Sequence, residues 1–169
     1  DEIGNEREDV LDELADAVII GLRDYCQKSG IEQIVLGLSG GIDSAVAACV
    51  AAEAVGPENV LGISMPSRFS SQHSMDDAKY TAEALGMEYA TISIDSHHSG
   101  IEQHLEQMLE EGSNVAAENI QSRLRGILVM AHANAQGRMA IATGNKSELA
   151  QGYCTLYGDM AGGYTPLGL

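Results

Sequence analysis

Leu36-Gly37-Leu38-Ser39-Gly40-Gly41-Ile42-Asp43-Ser44 runs from an apolar segment through a Ser-Gly-Gly turn to an Asp-Ser pair, and the alanine-rich stretch 45–55 follows it. Read physically, this is a strand, a phosphate-binding loop and a helix. Glycines 40 and 41 lack a Cβ, so the backbone can take positive φ and turn its N–H groups toward one point at the N-terminus of the new helix, where an anion is favoured. Ser39 and Ser44 add hydroxyl donors. Asp43 has the wrong charge for a phosphate and the right charge for the Mg²⁺ that nucleotide phosphates carry. An ordinary glycine turn would account for a lone Ser-Gly-Gly. It does not account for the six-residue pattern set between a strand run and a helix run.

The rest of the composition fits such a site. At 169 residues the chain is one domain's worth. Apolar residues make up 44%, aromatics only 4%, with no Trp and one Phe, so the core must be built from Ala, Leu, Ile, Val and Met, as in layered α/β proteins. No run approaches a membrane span, and residues 1–4 show no basic region leading into an apolar one, so the cytoplasm is the default location. Cys26, Cys49 and Cys154 are far apart and without metal-ligand grouping, and read as reduced, mostly packed thiols. A net charge of −16 opposes polyanionic surfaces, which excludes nucleic acid and anionic membrane as natural partners. Against that background Arg123, Arg125, Arg138 and Lys146 fall within one short segment, as a local anion site requires.

Working outward, apolar residues at 10, 11, 14, 18, 19 and 22 predict an amphipathic helix over 6–28. Strands are predicted at 34–38, 60–65, 89–94 and 139–143, with Tyr164 to Leu167 as a short fifth. Helices are predicted at 43–55, from Ser74 to Leu85, and at 118–134, with a short polar one over 101–111. His97 and His98 precede that short helix without ligand partners and read as exposed. The alternation predicts an open, mainly parallel sheet flanked by helices, with ligands beyond the carboxyl ends of the strands. Loops 39–44, 66–71 and 143–148 should meet on that edge. Glu148, in the last of them, can share a metal with Asp43. Its alternative role is a first-turn acid favouring the helix dipole.

The loop lacks Gly-x4-Gly-Lys-Ser/Thr and Gly-x-Gly-x-x-Gly. SGGIDS at 39–44 instead resembles the signature of the N-type ATP pyrophosphatases, which hold the β and γ phosphates of ATP there and cleave between the α and β phosphorus atoms. Together with Glu118-Asn119-Ile120-Gln121-Ser122-Arg123-Leu124-Arg125 and ATGNKSELAQGYCTLYGDMAGG at 142–163, it resembles NAD synthetase. The resemblance implies a Rossmann-like, adenine-nucleotide alpha-hydrolase-like fold over 1–169. It also implies a ligase reaction: the carboxylate of deamido-NAD attacks the α-phosphorus of ATP, pyrophosphate leaves, and ammonia displaces AMP to give NAD.

Carried over by motif, Gly37, Leu38, Ser39, Gly40, Gly41, Ile42, Asp43, Ser44, Arg68 and Thr143 would bind ATP. Asp43 and Glu148 would hold Mg²⁺ and be the catalytic pair, and Asn119, Arg123, Lys146 and Asp159 would face deamido-NAD. The loop 65–71 resembles that of glutamine-dependent members, in which a separate glutaminase domain feeds ammonia. The family's homodimer is expected by resemblance as well. Two features read as signs of a piece of a longer enzyme: no initiator Met stands first, and the family continues past the GDMAGG region while this sequence stops at Leu169. The competing readings are another N-type ATP pyrophosphatase, such as a GMP-synthetase-like or tRNA-thiolating protein, and a non-catalytic ATP-binding module. The stretches 118–125 and 142–163 argue against the first, and pyrophosphate release separates the second.

Overall fold

Four short segments pair in parallel in the computed structural model, which describes residues 2–111 and 114–168. They are β1 (Ile34–Gly37), β2 (Val60–Ser64), β3 (Glu88–Thr91) and β4 (Met139–Ala140), in the spatial order β3-β2-β1-β4. Ile34 stands opposite Val60 on one side and Met139 on the other. The central strands are apolar along their whole length because both faces are covered. Ile34 and Leu36 join the cluster formed with α1 (Glu2–Ser29), α2 (Ile42–Val55) and α3 (Gln72–Leu85), whereas Val35, Leu61 and Ile63 join Val129 and Ala133 of α5 (Asn114–Gln136). α4 (Asp95–Glu111) packs beside α5, and α6 (Lys146–Gln151) follows the loop after β4.

Small residues let the layers approach closely. Ala47, Ala48 and Ala51 of α2 are fully buried against the sheet. Gly62 of β2 faces Leu38, whose Cδ1 lies 2.4 Å from where a Cβ would stand. After β3 the chain crosses back through α4 and α5 to place β4 on the far side of β1, so the strand order reverses at β1. In open α/β sheets a ligand crevice forms at such a reversal, beyond the carboxyl ends.

Several boundaries differ from the sequence expectation. Strand β3 stops at Thr91, because its partner β2 ends at Ser64 and the last link is Ile92 N–H to Ser64 O. Tyr164 makes one parallel bridge to Ile141 and no fifth strand. α3 starts at Gln72, capped by Ser71, whose Oγ accepts from Ser74 N at 3.1 Å. α4 is one helix from Asp95, so His98 lies on its inner face and is fully buried, contrary to the exposed position expected. Cys26 is buried, and burial raises its thiol above the ordinary range, but Cys49 and Cys154 are exposed rather than packed. Asp1, Gly112, Ser113 and Leu169 lie outside the described residues, and the expectations about the chain's two ends fall on the first and last of these. Among the described residues no helix is long and apolar enough to cross a membrane.

Gly62→Ala tests the close packing of β2 on the segment after β1. The added methyl must displace the buried Leu38 side chain, and an overpacking cost of about 1–3 kcal/mol is expected in urea unfolding. An unchanged midpoint would show that Leu38 relocates freely.

Candidate nucleotide site

The carboxyl edge of the sheet gathers the loops that follow β1, β2 and β4. The first is braced by its own serines. Gly41 N–H donates to Ser39 Oγ at 3.1 Å, Ser39 N–H to Ser44 Oγ at 3.2 Å, and Ser44 Oγ–H to Gly41 O at 2.9 Å. Gly40 alone of the two glycines takes positive φ, 82°, and a Cβ there would lie 2.1 Å from Ser74 O. Gly41 is the N-cap of α2 at φ −88° and offers no side-chain cap, so the helix's first turn keeps backbone donors for an outside acceptor.

The loop after β4 supplies the second half. Asn145 caps α6: its Oδ1 accepts from Glu148 N at 2.9 Å, and its own N–H donates to Glu148 Oε2 at 3.0 Å, a reciprocal capping box. The same residue reaches across to β1's loop, donating from Nδ2 to Asp43 Oδ1 at 3.3 Å. Asp43 and Glu148 therefore line one cavity of about 250 Å³, with Thr143, Gly144, Ser39 and Ser44 around them. Glu148 also serves the helix start, so both roles weighed for it coexist.

A larger cavity of about 420 Å³ shares Ser39, Ala142, Thr143 and Asp159 with the first. Its walls are Leu38, Met65 and Ile141 from the sheet edge, Pro66 and Ser70 from the loop after β2, and Arg125 and Val129 from α5. Arg125 donates from Nε to Met65 O at 3.1 Å, and burial lowers its guanidinium below the ordinary value.

The segment 152–163 lies against α5 at two glycines: a Cβ on Gly126 would meet Tyr157 O at 2.8 Å, and one on Gly158 would meet Ser122 Oγ at 2.2 Å. Asp159 is fixed there by Thr155 N–H, which donates to its Oδ1 at 2.7 Å, and by its own N–H on Ser122 Oγ at 2.9 Å. Asn119 accepts from Thr155 Oγ1 at 2.8 Å and so stands one residue behind Asp159.

The structure thus brings together residues 37–39, Gly41, Asp43, Ser44, Thr143, Glu148 and Asp159 on the two cavities. Gly40 and Ile42 belong to the same loop and line neither. Arg123, on the outer face of α5, donates to Leu156 O at 3.2 Å, while Lys146 is exposed at the start of α6. Arg68 points away to Glu102. Of the four basic residues grouped as a local anion site, only Arg125 lines a cavity, while Arg138 pairs with Glu88; Ser64 and Ser122 are polar lining residues that sequence reasoning did not assign.

The loop geometry makes a sharp contrast between its glycines. Gly40→Ala must accept a left-handed conformation and displace the Ser74 backbone, so a loss of at least about 1–2 kcal/mol is expected in chemical unfolding. Gly41→Ala, at an ordinary φ, should cost under about 1 kcal/mol. Equal losses would contradict the observed close approach.

Known proteins share this fold and much of this sequence. The sequence model described as NAD synthase matches residues 14–169. The glutamine-dependent NAD(+) synthetase of Rhodobacter capsulatus is 52% identical over 152 residues, covering 89% of this chain and 28% of that protein. The structure of glutamine-dependent NAD+ synthetase from Acinetobacter baumannii in complex with ADP superposes with a TM-score of 0.90 at 40% identity, over 93% of this chain and 30% of that one. The NH3-dependent NAD synthetase of Campylobacter jejuni, in complex with nitrate ion, gives a TM-score of 0.83 at 32% identity, over 94% and 67%. The chain thus spans under a third of the length of the glutamine-dependent relatives it matches. The family model covers most of the chain and the neighbours share its parallel sheet flanked by helices, so the chain belongs to the NAD synthase family, of the adenine-nucleotide alpha-hydrolase type.

Proposed function

We propose that residues 1–169 form a single ATP-pyrophosphatase domain that binds Mg-ATP at the carboxyl edge and, in the complete enzyme, amidates deamido-NAD to NAD through an adenylated intermediate. The observation that carries this is the junction of the two cavities. A phosphate-type loop and two carboxylates line one, a largely apolar space suited to a planar base adjoins it, and Ser39 and Thr143 border both. The ADP held by the Acinetobacter baumannii relative supports nucleotide binding.

In this reading the base and ribose take the larger cavity. The phosphates lie over the loop 37–44, where the amides of the first turn of α2 neutralise their charge. Asp43 and Glu148 fit Mg²⁺ as a donor pair: hard carboxylate oxygens, brought to one cavity by Asn145, leave room for phosphate oxygens and water. When bound, the ion would neutralise phosphate charge on the departing pyrophosphate. Thr143 offers a hydroxyl to ATP, and Arg68, turned away to Glu102, bears on the site through the loop after β2. Asp159 faces deamido-NAD, with Asn119, Arg123 and Lys146 meeting it outside the two cavities, and we add Arg125, whose partly buried guanidinium borders the larger cavity alongside Asp159. A carboxylate is a poor acyl donor, and adenylation supplies its leaving group, so the protein's main contribution is alignment and charge neutralisation.

Ammonia would come from a glutaminase domain, as the names of the relatives suggest. A homodimer is the expected assembly, and exposed Ile127, Met130, Leu156 and Tyr157 provide apolar surface for it.

The test is an assay of the complete enzyme with ATP, deamido-NAD and ammonium, reading NAD and pyrophosphate together. Both products are expected in equal amount, whereas ATP binding without pyrophosphate would leave only a nucleotide-binding module. Within the site, Asp43→Asn and Glu148→Gln should each weaken Mg²⁺-dependent ATP binding by about tenfold or more, and the double variant by less than the product, since both serve one ion. Strictly multiplicative losses would separate the two carboxylates.

A further inference from the structure

One wall of the larger cavity is made by Pro66 and Ser70, in a loop that no helix or strand of its own stiffens. The loop is closed locally, Ser67 N–H on Ser70 Oγ at 3.0 Å and Ser70 N–H on Ser67 O at 2.9 Å. Among the described residues its outward hydrogen bonds run to Ile94 and to the first two turns of α4. Ile94 N–H donates to Pro66 O at 3.0 Å, and Arg68 N–H donates to Asp95 Oδ1 at 2.6 Å. The Arg68 guanidinium forks onto Glu102, with Nη2 2.8 Å from Oε1 and 2.7 Å from Oε2, and its Nη1 reaches Ser99 Oγ at 3.3 Å. Asp95, Ser99 and Glu102, spaced four and three apart, form one stripe of α4.

The pair is braced from beneath. The Arg68 guanidinium lies 4.7 Å above the Phe69 ring centroid, and the Phe69 ring stands edge-on to His98 at 6.4 Å. His98 is fully buried, with its Nδ1 3.7 Å from Glu102 Oε2 and no hydrogen bond to either ring nitrogen among the described residues. Glu102 is thus faced by two cation-capable side chains, and its own side chain is only 25% exposed. A surface acid paired for solvation alone would not be enclosed in this way.

We infer that Glu102 is a positioning residue for the nucleotide cavity: by holding Arg68 it fixes the 66–70 wall against the base and ribose, so that Arg68 serves the loop rather than the phosphates directly. This rests on the nucleotide reading given above. It makes a prediction of unusual sign. Removing a negative charge near an anionic ligand should, by Coulomb's law alone, strengthen binding, and it would also free an arginine for the phosphates. An anchor predicts the opposite.

The experiment measures amide hydrogen exchange of residues 67–71 and Mg-ATP affinity by titration calorimetry for the wild-type protein, Glu102→Gln, Arg68→Ala and the double variant. Exchange in β1 and α2 serves as the control for the fold. Each single variant should speed exchange at 67–71 and weaken Mg-ATP binding roughly three- to tenfold, and the double variant should be no worse than the weaker single one. Arg68→Lys should not restore either property, because a point charge cannot make the fork. Unchanged loop exchange, or equal or tighter Mg-ATP binding in Glu102→Gln, overturns the assignment. Should the wild-type protein bind no Mg-ATP, the nucleotide reading falls, and the exchange data still decide whether Glu102 holds the loop.

Discussion

Parallel pairing of β1 with β2 on one side and β4 on the other is the constraint from which the site follows. Because Ile34 aligns with both Val60 and Met139, the three strands start level and run the same way, and the loops leaving them emerge on one edge. The register cannot slip by one residue. Such a shift would exchange Val35 with its neighbours between two unlike cores, one built from alanines of α2 and one from Val129 and Ala133 of α5. Core packing thereby fixes where Ser39, Met65 and Thr143 stand relative to one another, before any ligand contributes.

On that base the site is assembled by a few small polar residues rather than by buried charge. Ser39 and Ser44 brace the first loop, and Asn145 links it to the last one by touching both Asp43 and Glu148. Asn145 spends each side-chain group on a different neighbour: its oxygen caps α6 and its nitrogen meets Asp43. Two acids in one cavity repel unless something lies between them, and here an amide does so at little desolvation cost. The overall charge of −16 makes local neutralisation at this edge the main electrostatic task for an anionic ligand.

The sheet class and the three loops were legible in the sequence because β1 and β2 are covered on both faces and read as unbroken apolar runs. β3 was misplaced because it is an edge strand whose Glu88 and Thr91 are exposed, so the apolar signal shifts to Ile92 and Ile94 beyond it. Ile94 is fully buried without being in a strand. The burial of His98 was also available in principle: it follows Ile94 by four residues, one helical turn, on the same side. The arginines show the same lesson. Arg125 precedes the buried Val129 by four and reaches the cavity, while Arg123 shares the outer face with exposed Ile127. Motif matching singled out Arg123, and helical phase adds Arg125 to the cavity wall. The reach of Arg68 to Glu102, across 34 positions, left no trace in local pattern.

The central claim is that one nucleotide and its metal occupy the crevice where the strand order reverses. It is tested most directly by titrating the protein with ATP and Mn²⁺ in place of Mg²⁺ and mapping paramagnetic broadening of the backbone amide resonances. The account predicts selective loss of signals from residues 39–44 and 143–148, with Glu88 and Arg138 at the opposite edge of the sheet unaffected. Broadening centred on other residues, or spread evenly over the many surface carboxylates, would contradict it.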